Sequence, residues 1–242
     1  MWSLAESVSP RVVDVPHTGS TNADLVPQAP AWRHLGVLLT RDQRGGRGRL
    51  DRAWQTAPGT ALAISVVLKV GRIPVARRGW IPLISGTAMA EAVSAQLPAA
   101  GVKWPNDVLV DGRKICGILA EVADPDTVVV GSGVNTRMTA EQMPVPTATS
   151  FAAKGVDVDE DRLLADYLRR LGELVAQLER GSVRDIVREH CITIGQEVTA
   201  HLPGGDALVG TAVDLDEHGR IVIDAGERHA LSAGDIVHLR RA

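Results

Sequence analysis

Val102-Lys-Trp-Pro-Asn-Asp-Val-Leu-Val-Asp-Gly-Arg-Lys-Ile-Cys-Gly-Ile-Leu-Ala-Glu-Val122 reads as two apolar-rich strands, 102–110 and 114–122, joined through Asp111-Gly112. An Asp-Gly pair favours the positive φ angles of a tight type I′ turn, so the segment is an antiparallel hairpin. Working outward, the residues before it supply strands at Val12–Val15, Leu35–Thr40 and Ala61–Val70. After it, Val128–Val130 begins a further strand that leaves through Gly131-Ser-Gly-Val-Asn-Thr136.

Helical patterns alternate with these strands. The hydroxyl-rich turn His17-Thr-Gly-Ser-Thr-Asn22 caps a short helix starting near Asn22 or Ala23. Trp80 to about Leu97 is helical, with Pro82 tolerated in its first turn. A long amphipathic helix capped by Asp157 or Asp159 carries Leu164, Leu168, Leu171, Val175 and Leu178 on one face and stops at Gly181. A Pro/Thr-rich surface connection, Met143–Ser150, precedes it, and a short helix over Val183–Cys191 follows. From Gly195 the texture changes to four or five short alternating strands. Their turns fall at Pro203-Gly204-Gly205, Glu217-His218-Gly219, Ala225-Gly226 and Ala233-Gly234. The expected architecture is α+β: a mixed sheet backed by helices over 1–192, then a small β-barrel over 193–242.

Composition narrows the class. The chain has 242 residues, 45% hydrophobic and 3% aromatic, with a formal net charge of −3. That suits a core of aliphatic side chains and excludes a general nucleic-acid binder. Cys116 and Cys191 lack any metal-ligand spacing and read as buried free thiols. No apolar run approaches the ~20 residues that span a bilayer, and the first residues lack a signal peptide's basic start. A soluble cytoplasmic protein is expected.

Positive charge is instead concentrated in one place. Thr40–Trp54 holds Arg41, Arg44, Arg47, Arg49 and Arg52 with Gly45, Gly46 and Gly48, against only Asp42 and Asp51. Such a segment reads as a loop that closes over an anion. It is no Walker A loop, because no Gly-Lys-Ser/Thr ends it, and Gly131-Ser-Gly133 lacks the third glycine of a dinucleotide fingerprint. Taken alone, Gly131 and Gly133 read first as a close-packed turn, with a ligand contact as the alternative. Alternate residues of an extended strand share a face, so Lys103 and Asp107 are expected on the same side. Lys114, leading into a buried strand, calls for an anionic partner. Ser20, Thr21 and Asn22 offer polar groups beside a helix start, and Gln43 suits a neutral amide or urea. The seven histidines are scattered and none is assigned a role.

Thr18-Gly-Ser-Thr-Asn22, Gly-Arg-Gly-Arg49 followed by Trp54, Lys-Trp-Pro-Asn-Asp107, Arg-Lys-Ile-Cys-Gly-Ile-Leu119 and Gly-Ser-Gly-Val-Asn135 together resemble the motifs of biotin protein ligases, in that family's order and spacing. The resemblance spans roughly 12–136, and the tail looks like the family's small SH3-like barrel. It implies a catalytic domain similar to class II aminoacyl-tRNA synthetases. It also implies joining of biotin and ATP, with Mg²⁺, into biotinoyl-AMP, then transfer to a lysine of the biotin carboxyl carrier domain of an acyl-CoA carboxylase.

By the same resemblance Ser20, Thr21, Asn22, Gln43, Gly46, Arg47, Gly48, Arg49, Lys114 and Gly117 would bind biotin. Arg49, Arg52, Trp54, Asn106, Gly133 and Asn135 would hold the adenylate, and Lys114, Arg49 and Asp107 would be catalytic. The metal ligands are not identifiable. The family loop commonly continues Gly-Arg after one residue, whereas here Leu50-Asp51 precede Arg52. An acid there is expected to loosen the grip on the intermediate. Two rivals stand beside this reading: a lipoate ligase, and a biotin-sensing repressor, for which the dozen residues before the first strand leave no helix-turn-helix. No nucleic acid or membrane partner is expected, and the chain is expected to be a monomer or weak homodimer.

Overall fold

Residues 61–69 carry two textures: Leu62, Ile64, Val66 and Leu68 alternate with Ala61, Ala63, Ser65 and Val67. Side chains alternate between the faces of a strand, so one face is bulky and the other nearly bare. The computed structural model, which describes residues 1–49, 52–54, 56–202, 206–232 and 235–238, builds the protein around this contrast. Leu50-Asp51 and the expected turns at Pro203–Gly205 and Ala233-Gly234 lie outside the described residues.

The elements begin with α1 (Ser3–Glu6), β1 (Val12–Asp14), α2 (Thr21–Leu25), β2 (Val37–Thr40), β3 (Gly46–Arg47), β4 (Ala53–Trp54) and β5 (Ala61–Lys69). They continue with α3 (Ile81–Ser94), β6 (Ala100–Lys103), β7 (Asp107–Val110), β8 (Arg113–Asp124) and β9 (Thr127–Asn135). Next come α4 (Glu160–Arg180), α5 (Arg184–His190), β10 (Glu197–His201), β11 (Ala207–Leu215), β12 (Ile221–Asp224), β13 (Arg228–Leu231) and β14 (Asp235–His238). A seven-stranded sheet runs β1-β2-β5-β9-β8-β7-β6, with β1 parallel to β2 and the other neighbours antiparallel.

The bulky face of this sheet meets α3 and α4. Leu62, Ile64, Val66 and Leu68 join Val130, Ile118, Met89, Leu168 and Leu171 in one core. Ser132 on that face lies 3.1 Å from the buried Tyr167 hydroxyl of α4. On the opposite face Leu38, Val67 and Val129 are covered by Leu25, Ala29 and Trp32. Beside them that face carries the small residues Ala63, Ser65, Gly117, Gly131 and Gly133.

Several sequence readings shift in detail. Asp159 caps α4 through the Arg162 amide, and Ser20 of the hydroxyl-rich turn caps α2 through the Ala23 amide, so that helix starts at Thr21, slightly before the expected Asn22 or Ala23. Leu35 lies outside β2 because its φ is +62°, a left-handed conformation that breaks the strand. The stretch 102–110 is two strands, since Trp104-Pro-Asn106 turns the chain between β6 and β7; Pro105 has no amide for a ladder. Gly131–Asn135 is strand rather than an exit turn. Asp111 and Gly112 take φ of +48° and +72°, as the hairpin reading requires. Both thiols are free and buried.

The tail is a five-stranded antiparallel sheet ordered β13-β12-β11-β10-β14. Among the described residues no ladder joins β13 to β14, so it is SH3-like in size but not a closed barrel. The exposed Arg228 and His229 of β13 keep that edge solvated. The sheet packs its apolar face, including Val198, Ala200, Ile221 and Ile223, into the main core. Two indoles fasten it: Trp80 Nε1 donates to the Glu217 carbonyl at 2.9 Å, and Trp104 Nε1 to the Gly219 carbonyl at 3.0 Å. No helix of the described residues is long and apolar enough to cross a membrane.

Candidate active site

The open face of the sheet forms the floor of a cleft of about 500 Å³. Its bareness is set by sequence: Ala63 on β5, Gly131 and Gly133 on β9 and Gly117 on β8 all point that way. The glycines are occupied from above. A Cβ at Gly131 would come within 2.6 Å of Asn22 Oδ1, and one at Gly133 within 2.7 Å of the Trp54 ring. Here the glycines serve close approach of other side chains rather than a turn.

At one end the chain builds a small polar floor. Residues 18–19 run alongside 42–45, with Arg44 N donating to Thr18 O at 2.9 Å and Gly45 N to Gly19 O at 2.6 Å. That pairing sets Gln43 beside α2, where its Oε1 accepts from the Thr21 amide at 2.8 Å and lies 3.1 Å from the Thr21 hydroxyl. Ser65 Oγ stands 2.7 Å from Thr21 Oγ1 and 2.6 Å from Asn22 Oδ1. Glu121 holds the other side of the Asn22 amide at 2.7 Å and reaches Arg47 at 3.8 Å. The result is a chain of fixed hydroxyls and amides, suited to a neutral, multiply hydrogen-bonding group.

At the other end the groups are charged. Lys114 Nζ pairs with Asp107 Oδ1 at 2.7 Å. A register shift between Val108 and Leu109 makes this possible: Val108 pairs with Cys116 but Leu109 pairs with Lys114. The extra residue lets Ile115 and Cys116 both enter the core while Lys114 swings to the cleft face, the usual effect of a bulge. Lys114 then lies over the bare backbone of Gly117, where a Cβ would stand 3.0 Å from Nζ. Lys103 pairs directly with Asp107 across β6 and β7, so the two do share a face, though across a hairpin and not along one strand. Arg49 donates to Asn106 Oδ1 at 3.1 Å, and Asn106 is itself held by the Ile118 carbonyl at 2.8 Å. Burial pushes the Cys116 thiol well above its usual range, so it is a neutral core group and no nucleophile.

Of the residues singled out from sequence, Ser20, Thr21, Asn22, Gln43, Arg47, Gly48, Arg49, Arg52, Trp54, Asn106, Asp107, Lys114, Gly117 and Gly133 all line the cleft. Two do not. Gly46 lies behind it, under Gln43 and the Trp54 carbonyl, and Asn135 gives its amide to the Thr149 carbonyl at 2.9 Å. Ser65 and Glu121 were missed, although a serine inside an aliphatic strand and an acid after Ile-Leu-Ala are visible signals. His201, Ile236 and Val237 of the tail also line the cleft; nothing in their local pattern marks them.

Residues 9–135 match the biotin/lipoate A/B protein ligase family, and 193–239 match the biotin protein ligase C-terminal domain. This chain is a member of the biotin protein ligase family. A biotin–[acetyl-CoA-carboxylase] ligase of Mycobacterium tuberculosis is 40% identical over 236 residues, covering 93% of this chain and 88% of that protein. A bifunctional ligase/repressor of Bacillus spizizenii is 27% identical over 209 residues, and the match covers 79% of this chain but 62% of the relative. Among solved structures, the biotin protein ligase from Aquifex aeolicus in complex with biotin and ATP aligns with a TM-score of 0.79 and 25% identity. That alignment covers 96% of this chain and 99% of the other. In this chain the Gly-Arg-Gly-Arg49 arm and the Lys114 strand meet over one cleft.

Proposed function

We propose that this chain is an ATP-dependent biotin protein ligase acting on the biotin carboxyl carrier domain of an acyl-CoA carboxylase. The observation that carries the reading is one cleft with a neutral polar floor at Thr21, Gln43 and Ser65 and a cationic end at Lys114 and Arg49. Biotin has the same two ends, a ureido ring and a carboxylate.

In the first half-reaction a biotin carboxylate oxygen attacks the α-phosphorus of ATP, and the bond to pyrophosphate breaks. Anion meets anion, so fixed positive charge must offset the repulsion as it develops. Lys114 and Arg49 supply it, each already oriented, by Asp107 and Asn106 respectively. Mg²⁺ enters with ATP as substrate, neutralising the phosphates. The protein's own positive charge at this point is Lys114 and Arg49.

In the second half-reaction the carrier's lysine amine attacks the biotinoyl carbonyl carbon, and AMP leaves with the bridging oxygen. Asp107 is the group assigned to take the amine's proton, with Lys114 holding the oxyanion and the departing phosphate. Trp54 roofs the floor glycines and Ile236 and Val237 of the tail flank the opening, which limits water around a hydrolysable mixed anhydride. Residues 1–192 thus carry the chemistry and the tail completes the wall.

The deciding experiment is exchange of labelled pyrophosphate into ATP by the purified protein, with biotin and, in parallel, lipoate. Biotin-dependent exchange followed by labelling of a carrier domain is expected. Exchange with lipoate alone would transfer the protein to the lipoate branch.

A further inference from the structure

The arginine-rich arm leaves the sheet at Arg41 and returns at Gly59-Thr60, and both feet converge on one carboxylate. Glu160, in the first turn of α4 with a side chain only 4% exposed, takes Arg41 Nη2 on its Oε2 at 2.7 Å and Arg137 Nε on its Oε1 at 3.2 Å. Arg41 also accepts the Gly59 amide on its carbonyl at 2.7 Å, closing the base of the arm. Arg137 donates its own backbone amide to the Thr60 carbonyl at 2.9 Å. The outgoing foot is therefore held by one oxygen of Glu160, and the returning foot by the other through Arg137. Asp14 adds a second contact to Arg41 at 3.3 Å, and Arg41 stacks on the Trp2 ring at 4.9 Å. None of these groups lines the cleft.

We infer that Glu160 is a positioning residue whose two-arginine clamp fixes the root of the arm, and through it the placing of Gln43 and Arg47 over the ligand. Gln43 is two residues from Arg41, and its contact with Thr21 depends on where that root sits. A buried carboxylate sharing two guanidinium groups is a strong, directional anchor, because either oxygen left alone would be a desolvated charge. The clamp bears on Gln43 and Arg47 near the root of the arm, whereas Arg49 further out keeps its own anchor on Asn106, and Lys114 and Asp107 stand on separate strands.

The inference rests on the ligase reading for its kinetic arm only, and it is tested by Glu160→Gln together with Arg41→Gln. Tryptic nicking after Arg44 and Arg47 of the ligand-free protein, read by mass, is expected to quicken at least five-fold in each variant. KM for biotin in pyrophosphate exchange is expected to rise about ten-fold, with kcat within about two-fold. Because Arg41 acts through Glu160, which holds both feet, the double variant should match Glu160→Gln alone. Unchanged nicking with unchanged KM, or additive effects in the double variant, would overturn the clamp. So would a fall in kcat with KM unmoved. If the unaltered chain shows no exchange, the ligase reading falls, and nicking alone still decides the clamp.

Discussion

Lys114 Nζ and Asp107 Oδ1 stand 2.7 Å apart only because one surplus residue at Ile115 turns the lysine out of the core phase of its strand. An unbroken alternation would send Lys114 to the same side as Cys116 and Ile118. The ion pair also has a chemical use: a cation held by one carboxylate cannot wander along the floor, and Gly117 leaves room for it to lie flat.

Substituting each partner in turn tests its role: Lys114 serves both half-reactions and Asp107 chiefly the second. Lys114→Ala is expected to lower biotin-dependent pyrophosphate exchange by roughly 10²–10³, the usual cost of one preorganised charge. Asp107→Asn is expected to spare exchange comparatively and to slow transfer from preformed adenylate to carrier by about 10²-fold or more. Single-turnover transfer from purified biotinoyl-AMP measures this; an Asp107→Asn protein that transfers normally would remove Asp107 from the second step.

Gly133→Ala tests the roof. Its new Cβ would stand 2.7 Å from Trp54 Cε2 and Cζ2, too close for any packing, so the indole must move. KM for ATP is expected to rise by about ten-fold while the melting temperature shifts by only a few degrees, since the strand backbone is undisturbed. Isothermal titration with a non-hydrolysable ATP analogue in the presence of biotin would show the loss directly.

Trp104→Phe tests the joint between sheet and tail. The indole is buried, and its loss leaves the Gly219 carbonyl without its partner, a cost of about 1–3 kcal/mol. Urea unfolding should show a lower midpoint, and Trp80→Phe, which frees the Glu217 carbonyl, should behave alike. A midpoint unchanged in both would mean the tail is held by its apolar face alone.

Acidification should weaken the fold through two histidines. Burial holds His34 and His238 below the ordinary 6.5, with Lys103 adding to the effect at His238. Below that value the unfolded chain takes up protons that the native protein refuses. Stability is therefore full above about 6.5 and declines as pH falls towards the lowered native values. Urea midpoints at pH 7.5 and 5.5 should differ, and His238→Gln should reduce the difference.

The site was legible where the chemistry is local. Gln43, Arg49, Trp54, Asn106 and Lys114 sit in compact motifs, and the cleft gathers them. The Asp111-Gly112 turn likewise announced its hairpin through residues that tolerate positive φ. What stayed hidden depended on partners far along the chain. Trp104-Pro105 breaks an apolar run that periodicity alone reads as continuous, although a proline cannot donate to a ladder. Gly131 and Gly133 look like a turn until Asn22 and Trp54 are seen resting on them. The bulge at Ile115 has no signature of its own. Neither has the approach of Ile236 to a cleft built from residues more than a hundred positions earlier.

The two textures of β5 bind correctness of folding to capacity for work. If this strand paired one residue out of step, Leu62 and Ile64 would fill the trough and Ala63 and Ser65 would face α4. The core would lose its largest aliphatic ridge in the same event that plugged the substrate's seat. A misregistered molecule would thus be both unstable and blocked, with no intermediate form that folds well and works badly. Quality control of the protein and control of its activity converge on the pairing of a single nine-residue strand.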